Sequence, residues 1–220
     1  MVVALLLILL AGVAVTKTNG KRVRELLPHR DVRKFGEPSQ LLGSSEDLVL
    51  LLVSEQSWIR SNWKCMKSKF VSTVSHNKTF VRQEVYWIPP VWFSNQTKPK
   101  AGKLTFLYDV LRQPGEYTKV NTTLLGTSAN YSFGEYPVLF ADNSCMVIQF
   151  PKTPSYIFKN PRCALWVLNT TLCSPEMYRH CIFIMLSSCK TPLYNLYEYE
   201  RNDCDKWGDP PEPESVTTTT

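Results

Sequence analysis

Over most of the chain apolar and polar residues alternate, and the period lengthens only near the end. Leu104, Phe106, Tyr108 and Val110 take alternate positions of Lys103–Val110, which predicts a strand with one buried face. Leu48 to Val53 is six apolar residues in a row, the pattern of a strand buried on both faces. β-Branched and aromatic content marks further strands at Trp63–Ser72, Thr79–Trp87, Gly115–Val120, Tyr136–Ala141, Cys145–Phe150 and Cys163–Leu168. Pro89-Pro90 and the polar stretches Asn95–Gly102 and Asn121–Gly134 separate them, and Asp142-Asn143-Ser144 is a hairpin-length turn. At Ser174 the period becomes helical, with a hydroxyl at the N-cap, Pro175 at the first helical position and Glu176 in the first turn. Met177, Cys181, Ile184 and Met185 then share one face of a helix ending near Cys189. Gln40–Leu42, ahead of Ser44–Asp47, allows one short helical turn, and Leu193–Tyr197 adds a short edge strand.

Eight strands with short connections, followed by one apolar helix, predict an all-β, eight-stranded antiparallel up-and-down barrel with a C-terminal α-helix packed on its outside. A β-sandwich is the alternative, although its usual order does not end in a cysteine-bearing helix.

Length and composition set the surroundings. With 220 residues, 44% of them apolar, the chain suffices for one core. Val2 to Leu10 is an apolar run too short to span a bilayer, and Gly12-Val13-Ala14 supplies small residues for cleavage, although no Lys or Arg precedes the run. The expected layout is a signal peptide over residues 1–16 and a basic extension over 17–39. The barrel and helix then cover 40–204, and an acidic, Thr-rich disordered tail covers 205–220. Seven cysteines suit an oxidising compartment. Acceptor sequons at Asn77, Asn95, Asn121, Asn130 and Asn169, all read as lying between strands or at strand ends, suit a glycosylated, secreted product without a membrane span.

The net charge of +6 is uneven, with seven Lys/Arg between Lys17 and Lys34 and seven carboxylates between Glu198 and Glu214. The basic stretch reads as a solvated extension or as a weak attachment to acidic glycans or membrane surfaces. No interleaved aromatic-basic motif points to nucleic acid.

The sequence offers no enzyme constellation. The three histidines, His29, His76 and His180, form no metal-ligand spacing, and neither a nucleophile elbow nor a phosphate loop occurs. His180 and Cys181 are neighbours on a helix and do not face each other, so they make a poor nucleophile pair. No catalytic residue, metal or cofactor is expected.

Several features together resemble the tick salivary lipocalins of the histamine-binding group. They are the apolar leader, the leucine-rich first strand, the Cys-Met-Val strand at Cys145 and the Cys-Ala-Leu-Trp-Val strand at Cys163. The helical spacing from Cys181 to Cys189 and the late Cys204 complete the pattern, which covers about Gln40 to Cys204. The resemblance implies a lipocalin barrel of the calycin superfamily, released at a bite to sequester a host inflammatory mediator. It also implies disulfides Cys65–Cys204 and Cys145–Cys181, with Cys163–Cys189 as a third pair. Cys173 is then left as a free thiol or as the bridge of a covalent dimer of an otherwise monomeric protein.

Amine-binding members carry C-D-[VIL] and E-L-[WY] on two strands, with the acids turned into the barrel. Here those strands read Cys145-Met146-Val147 and Ala164-Leu165-Trp166, so both acids are gone. A buried ammonium needs a partner, and two missing charged hydrogen bonds remove about two to four decades of amine affinity. Glu84 or Asp109 would compensate if either faced inward. With Met146 and Ala164 inside, period 2 brings Ile148, Phe150, Trp166 and Leu168 in as well, making an apolar wall. That wall fits a fatty acid, eicosanoid or sterol better than histamine or serotonin. Two alternatives stay open: these side chains simply fill a closed barrel, or the protein binds a host protein, such as a complement component, through its loops.

Overall fold

The structure, a computed structural model, describes residues 36–54, 63–90, 98–113, 116–126, 130–151, 161–189 and 192–211. The expected signal peptide, most of the basic extension, Asn95, Gly115 and residues 212–220 of the expected tail lie outside the described residues.

Eight strands follow in order: β1 (Leu48–Ser54), β2 (Lys64–Ser75), β3 (Thr79–Ile88), β4 (Lys100–Leu111), β5 (Lys119–Leu125), β6 (Tyr131–Ala141), β7 (Cys145–Gln149) and β8 (Cys163–Leu168). From β2 onward each pairs antiparallel with the next; β1 pairs with β8 on one side and with β2 on the other, which closes the sheet into a barrel. The fold is therefore an eight-stranded antiparallel up-and-down barrel. A one-turn helix, α1 (Ser39–Leu42), precedes it. The helix α2 (Arg179–Cys189), a short strand β9 (Leu193–Asn195) on the β1 edge and a further helix α3 (Leu196–Trp207) follow it, outside the barrel.

Alternation sorts the side chains into two clusters. Leu48, Leu50, Met66, Phe80, Tyr86, Val110, Val120, Val138, Met146, Ala164 and Trp166 point inward. Cys145, Val147, Cys163, Leu165 and Val167 point outward against Tyr178, Cys181, Met185 and Cys189 of the α2 segment. An irregularity in β1 between Leu50 and Leu52 turns Leu51 and Leu52 outward and Val53 inward, so this strand is buried on both faces. Disulfides join Cys145 to Cys181 and Cys163 to Cys189, tying α2 to β7 and β8, and Cys65 to Cys204, tying α3 to β2. Cys173 is free and exposed.

Arg82, with no accessible surface, closes one end of the barrel. Its guanidinium donates to the carbonyls of Leu42 at 2.9 Å, Ser44 at 2.8 Å, Glu46 at 2.8 Å and Ser68 at 2.6 Å, and to Ser68 Oγ at 3.1 Å. These oxygens replace the hydration a buried cation loses, and they hold the α1–β1 segment across the barrel end. Burial lowers the Arg82 pKa to about 10, so it stays charged at neutral pH.

Three regions differ from the sequence pattern. Lys119–Leu125 is strand where Asn121–Gly134 reads as loop, and β6 begins at Tyr131 rather than Tyr136. The inward face there is thin: only Val120 and Thr122 are buried in the barrel, while Asn121 on the other face accepts a hydrogen bond from Ser132 Oγ at 3.3 Å. Asn121 therefore lies within a strand, not between strands. Asn77 sits in the β2–β3 turn, Asn130 just before β6 and Asn169 in the 3-10 turn after β8, all exposed. The expected helix start, Pro175–Met177, is a separate 3-10 turn, and Met177 is exposed rather than packed with Cys181 and Met185. Finally, residues 196–207 form α3, so the edge strand stops at Asn195 and the expected tail is helical to Trp207. Asn195 caps this helix, accepting from the Glu198 N–H at 3.1 Å and donating its own amide to Glu198 Oε2 at 3.2 Å.

Candidate ligand-binding cavity

The inward faces of the strands enclose a cavity of about 660 Å³, within the range of small-molecule sites. The strands leave it unfilled because the rings that reach inward, Phe106, Phe133, Tyr136, Phe150 and Trp166, line the wall while Ala164 is short. Met146, Ile148, Phe150, Ala164 and Trp166 all border the cavity; Leu168 packs against the same inner cluster without bordering it. Gly102 shapes a neighbouring part of the wall. It lies opposite Tyr86 in the β3–β4 register, and a Cβ there would stand 2.3 Å from the Tyr86 ring, which stacks on Trp63 at 4.5 Å between centroids.

The cavity's polar side chains are few: Ser68, Glu84, Tyr108, Thr122, Tyr136 and Arg162. Glu84 is the only carboxylate among its described lining residues. Asp109 lies on the outward face of β4, where it accepts from Thr79 Oγ1 at 2.7 Å. The Tyr108 hydroxyl donates to Glu84 Oε1 at 2.5 Å. Burial pushes the Glu84 pKa up to about 7, partly offset by the Tyr108 bond and by the Arg82 charge. The same surroundings raise Tyr108 well above the ordinary phenol range, chiefly by burial and then by the neighbouring Glu84 charge. Tyr136 is raised for the same two reasons. Near neutral pH the site thus offers a mainly apolar chamber in which Glu84 and Tyr108 form a hydrogen-bonded pair whose carboxyl group is divided between its protonated and ionised forms, with the Arg162 guanidinium also on the wall.

Among the described residues two other clusters bring metal-ligand residue types together, Cys145 with His180 and Cys181, and Cys65 with Glu200 and Cys204. In both, the two sulfurs are joined to each other, so neither cluster offers a thiolate. His180 Nε2 lies 2.7 Å from Asp142 Oδ2 and 3.3 Å from the disulfide sulfur of Cys145, and its ring lies edge-on to Phe140.

The sequence leaves Glu84 as one of two undecided carboxylates and presents its partner Tyr108 only as an apolar-face residue. The missing signal is the β3–β4 register, Glu84 opposite Leu104 and Arg82 opposite Phe106, which carries the clear inward parity of β4 across to β3.

Among solved structures, the chain is similar to Japanin from Rhipicephalus appendiculatus bound to cholesterol, with a TM-score of 0.46 and 16% sequence identity, covering 64% of this chain and 86% of that chain. No protein-family model and no curated protein matches the sequence.

Proposed function

We propose that the protein is a secreted lipocalin that sequesters a small, mainly apolar ligand in its barrel. One observation carries this reading: a cavity of about 660 Å³ whose wall is apolar except for a small polar set that includes the hydrogen-bonded pair Glu84 and Tyr108. A fatty acid, eicosanoid or sterol matches that wall, with its one polar group placed at Glu84. A protonated Glu84 donates to a ligand oxygen, and an ionised one accepts from a ligand hydroxyl. Secretion is supported by three disulfides, which persist in oxidising compartments, and by the apolar run at residues 2–10. Capture of a host inflammatory mediator, and with it evasion of host defence, is the biological role the resemblance to tick salivary lipocalins implies.

A second reading, capture of a biogenic amine, has Glu84 in its favour. It is the weaker one, since Met146 and Ala164 line the wall where amine-binding members have acids, and Glu84 is only partly ionised at neutral pH. Native mass spectrometry of the protein secreted from eukaryotic cells tests both. A retained lipid supports the first reading; an empty barrel that takes up histamine and no lipid favours the second. An empty barrel that takes up neither, with a host protein recovered by pull-down, moves the function to the loops.

A further inference from the structure

A second cavity, of about 370 Å³, lies outside the barrel wall beneath α3. Leu50 and Met66 border both cavities, so these two residues form their common partition. The partition stands where the barrel is least knitted. β1 and β2 pair only at Leu48 with Ser68 and Val49 with Lys67, and from Leu52 on β1 pairs with β9 instead. Cys65, at a positive φ of 57°, turns out of the sheet geometry, and its N–H donates not to β1 but to Glu200 Oε2 of α3 at 2.8 Å. The wall between Leu50 and Met66 therefore lacks the backbone ladder that would seal it.

The helix covers this seam as a fixed roof. Cys204 is bonded to Cys65, Asp203 pairs with Lys64, Asp209 pairs with Lys67 at 2.5 Å, and Trp87 Nε1 donates to the Gly208 carbonyl at 2.8 Å. Under that roof Val49, Leu172, Leu196 and Tyr197 make an apolar floor, Asn169 and the buried Glu200, whose carboxylate accepts from the Cys65 N–H, add polar groups to the lining, and Lys67, Arg201, Asp205 and Asp209 form a charged rim. Such a space suits the apolar end of a chain whose polar group stays in the barrel.

We propose that this side cavity is a second compartment of the barrel's ligand site, entered between Leu50 and Met66, and that it makes the site selective for a single unbranched chain over a compact ring system. The inference rests on the reading of the barrel as a ligand site. A gap between two neighbouring strands is one chain wide, and the unbranched Met66 side chain, with three rotatable bonds, is the part of the partition able to swing aside. The fused rings of a sterol stay in the barrel.

The test is a chain-length series, from decanoic to eicosanoic acid, displacing a fluorescent apolar probe from the delipidated full-length protein. Affinity should rise about fourfold per added methylene, with no plateau before the longest acids. Leu172→Trp, which fills the side cavity and leaves the barrel's lining untouched, should bind the shortest acids like wild type and the longest roughly fifteenfold more weakly, the loss of about two methylenes. Loss of equal size at every length, or no loss, overturns the proposal. If Leu172→Trp does not fold, stearic acid carrying a nitroxide at its far end takes its place. In wild type it should broaden the NMR signals of Leu172, Leu196 and Tyr197, and broadening confined to β3–β6 overturns the proposal. Cholesterol binding with rejection of every straight-chain acid would remove the side compartment and leave the barrel reading standing. Failure of wild type to take up any apolar probe would remove both.

Discussion

Replacing Glu84 with glutamine isolates the free energy stored in the one buried carboxyl group among the described residues that line the cavity. The glutamine side chain is isosteric and its carbonyl oxygen still accepts the Tyr108 hydroxyl, so the variant differs from wild type only where Glu84 is charged. Because the Glu84 pKa is raised from 4.5 to about 7, the folded state holds a proton that the unfolded state has released between those values. Stability from this group is fully present below pH 4.5, is lost as pH rises through about 7, and is constant above that. A shift of about 2.5 pKa units corresponds to about 3.4 kcal/mol, and screening of the part of the carboxylate that borders the cavity reduces this to about 2–3 kcal/mol.

Glu84→Gln should therefore match wild type at pH 4.5 and exceed it by about 2–3 kcal/mol at pH 8, or about 4–12 °C in Tm for a domain of this size. Thermal and urea unfolding of both ligand-free proteins across that range measure it, and taking the difference cancels every group the two share. Other perturbed carboxylates do not intrude. Glu37 is held below the usual range because the bonds from Arg112 and Ser39 outweigh its partial burial, and Asp142 because the bonds from Ser144, Cys145 and His180 do the same. Their stability is lost only as pH falls through those lowered values. A difference between the two proteins that stays flat with pH, or that grows toward acid, would refute the argument and place Glu84 in contact with solvent.

The covalent frame makes two claims. Cys181→Ser opens a bridge spanning 36 residues, worth about 3.8 kcal/mol by loop closure, and should free α2 from β7, lower the yield of secreted protein and raise aggregation; a secreted, fully stable variant contradicts this. Cys173→Ser should leave the melting temperature unchanged and abolish any covalent dimer on a non-reducing gel, and a surviving dimer band would assign the bridge elsewhere. Gly102→Val drives a side chain into the Tyr86 ring and should cost about 1–3 kcal/mol in urea unfolding while unstacking Tyr86 from Trp63, seen as a change in tryptophan fluorescence; wild-type stability would show the ring moves freely. Histamine and serotonin should bind more weakly than micromolar by calorimetry, since Glu84 is the one carboxylate among the described residues lining the cavity, and submicromolar affinity for either contradicts the apolar reading.

The barrel was legible because its strands carry strong local signals. The run Leu48–Val53 announces a strand buried on both faces, and β4 announces its parity through Leu104, Phe106, Tyr108 and Val110. The elements read wrongly are those whose buried face is thin. β5 holds Val120 and Thr122 inside, with Asn121 and Thr123 on its other face, so composition looks like a loop and only the ladders to β4 and β6 make it a strand. α3 was hidden for a related reason. Its hydrophobic anchor is essentially Leu196, its other buried residue is Glu200, and what holds it is a disulfide, ion pairs and a cap rather than an apolar stripe. The Asn195-x-x-Glu198 cap is the one local signal that marks its start.

The site divides along the same line. Period 2 carried from Met146 and Ala164 reached three further residues that border the cavity, Ile148, Phe150 and Trp166, because alternation along a strand is local and survives without knowledge of neighbours. Glu84 and Tyr108 needed a non-local fact. On β3 both faces carry apolar residues, Phe80 and Tyr86 on one and Val81 and Val85 on the other, so the strand's own pattern cannot say whether Glu84 or Gln83 looks inward. Pairing with β4 decides it, by setting Glu84 opposite Leu104 and so on Tyr108's side of the sheet. The side cavity is less legible still. It exists because β1 abandons β2 after Val49 to pair with β9, an exchange of partners between segments about 140 residues apart that no periodicity along either one records.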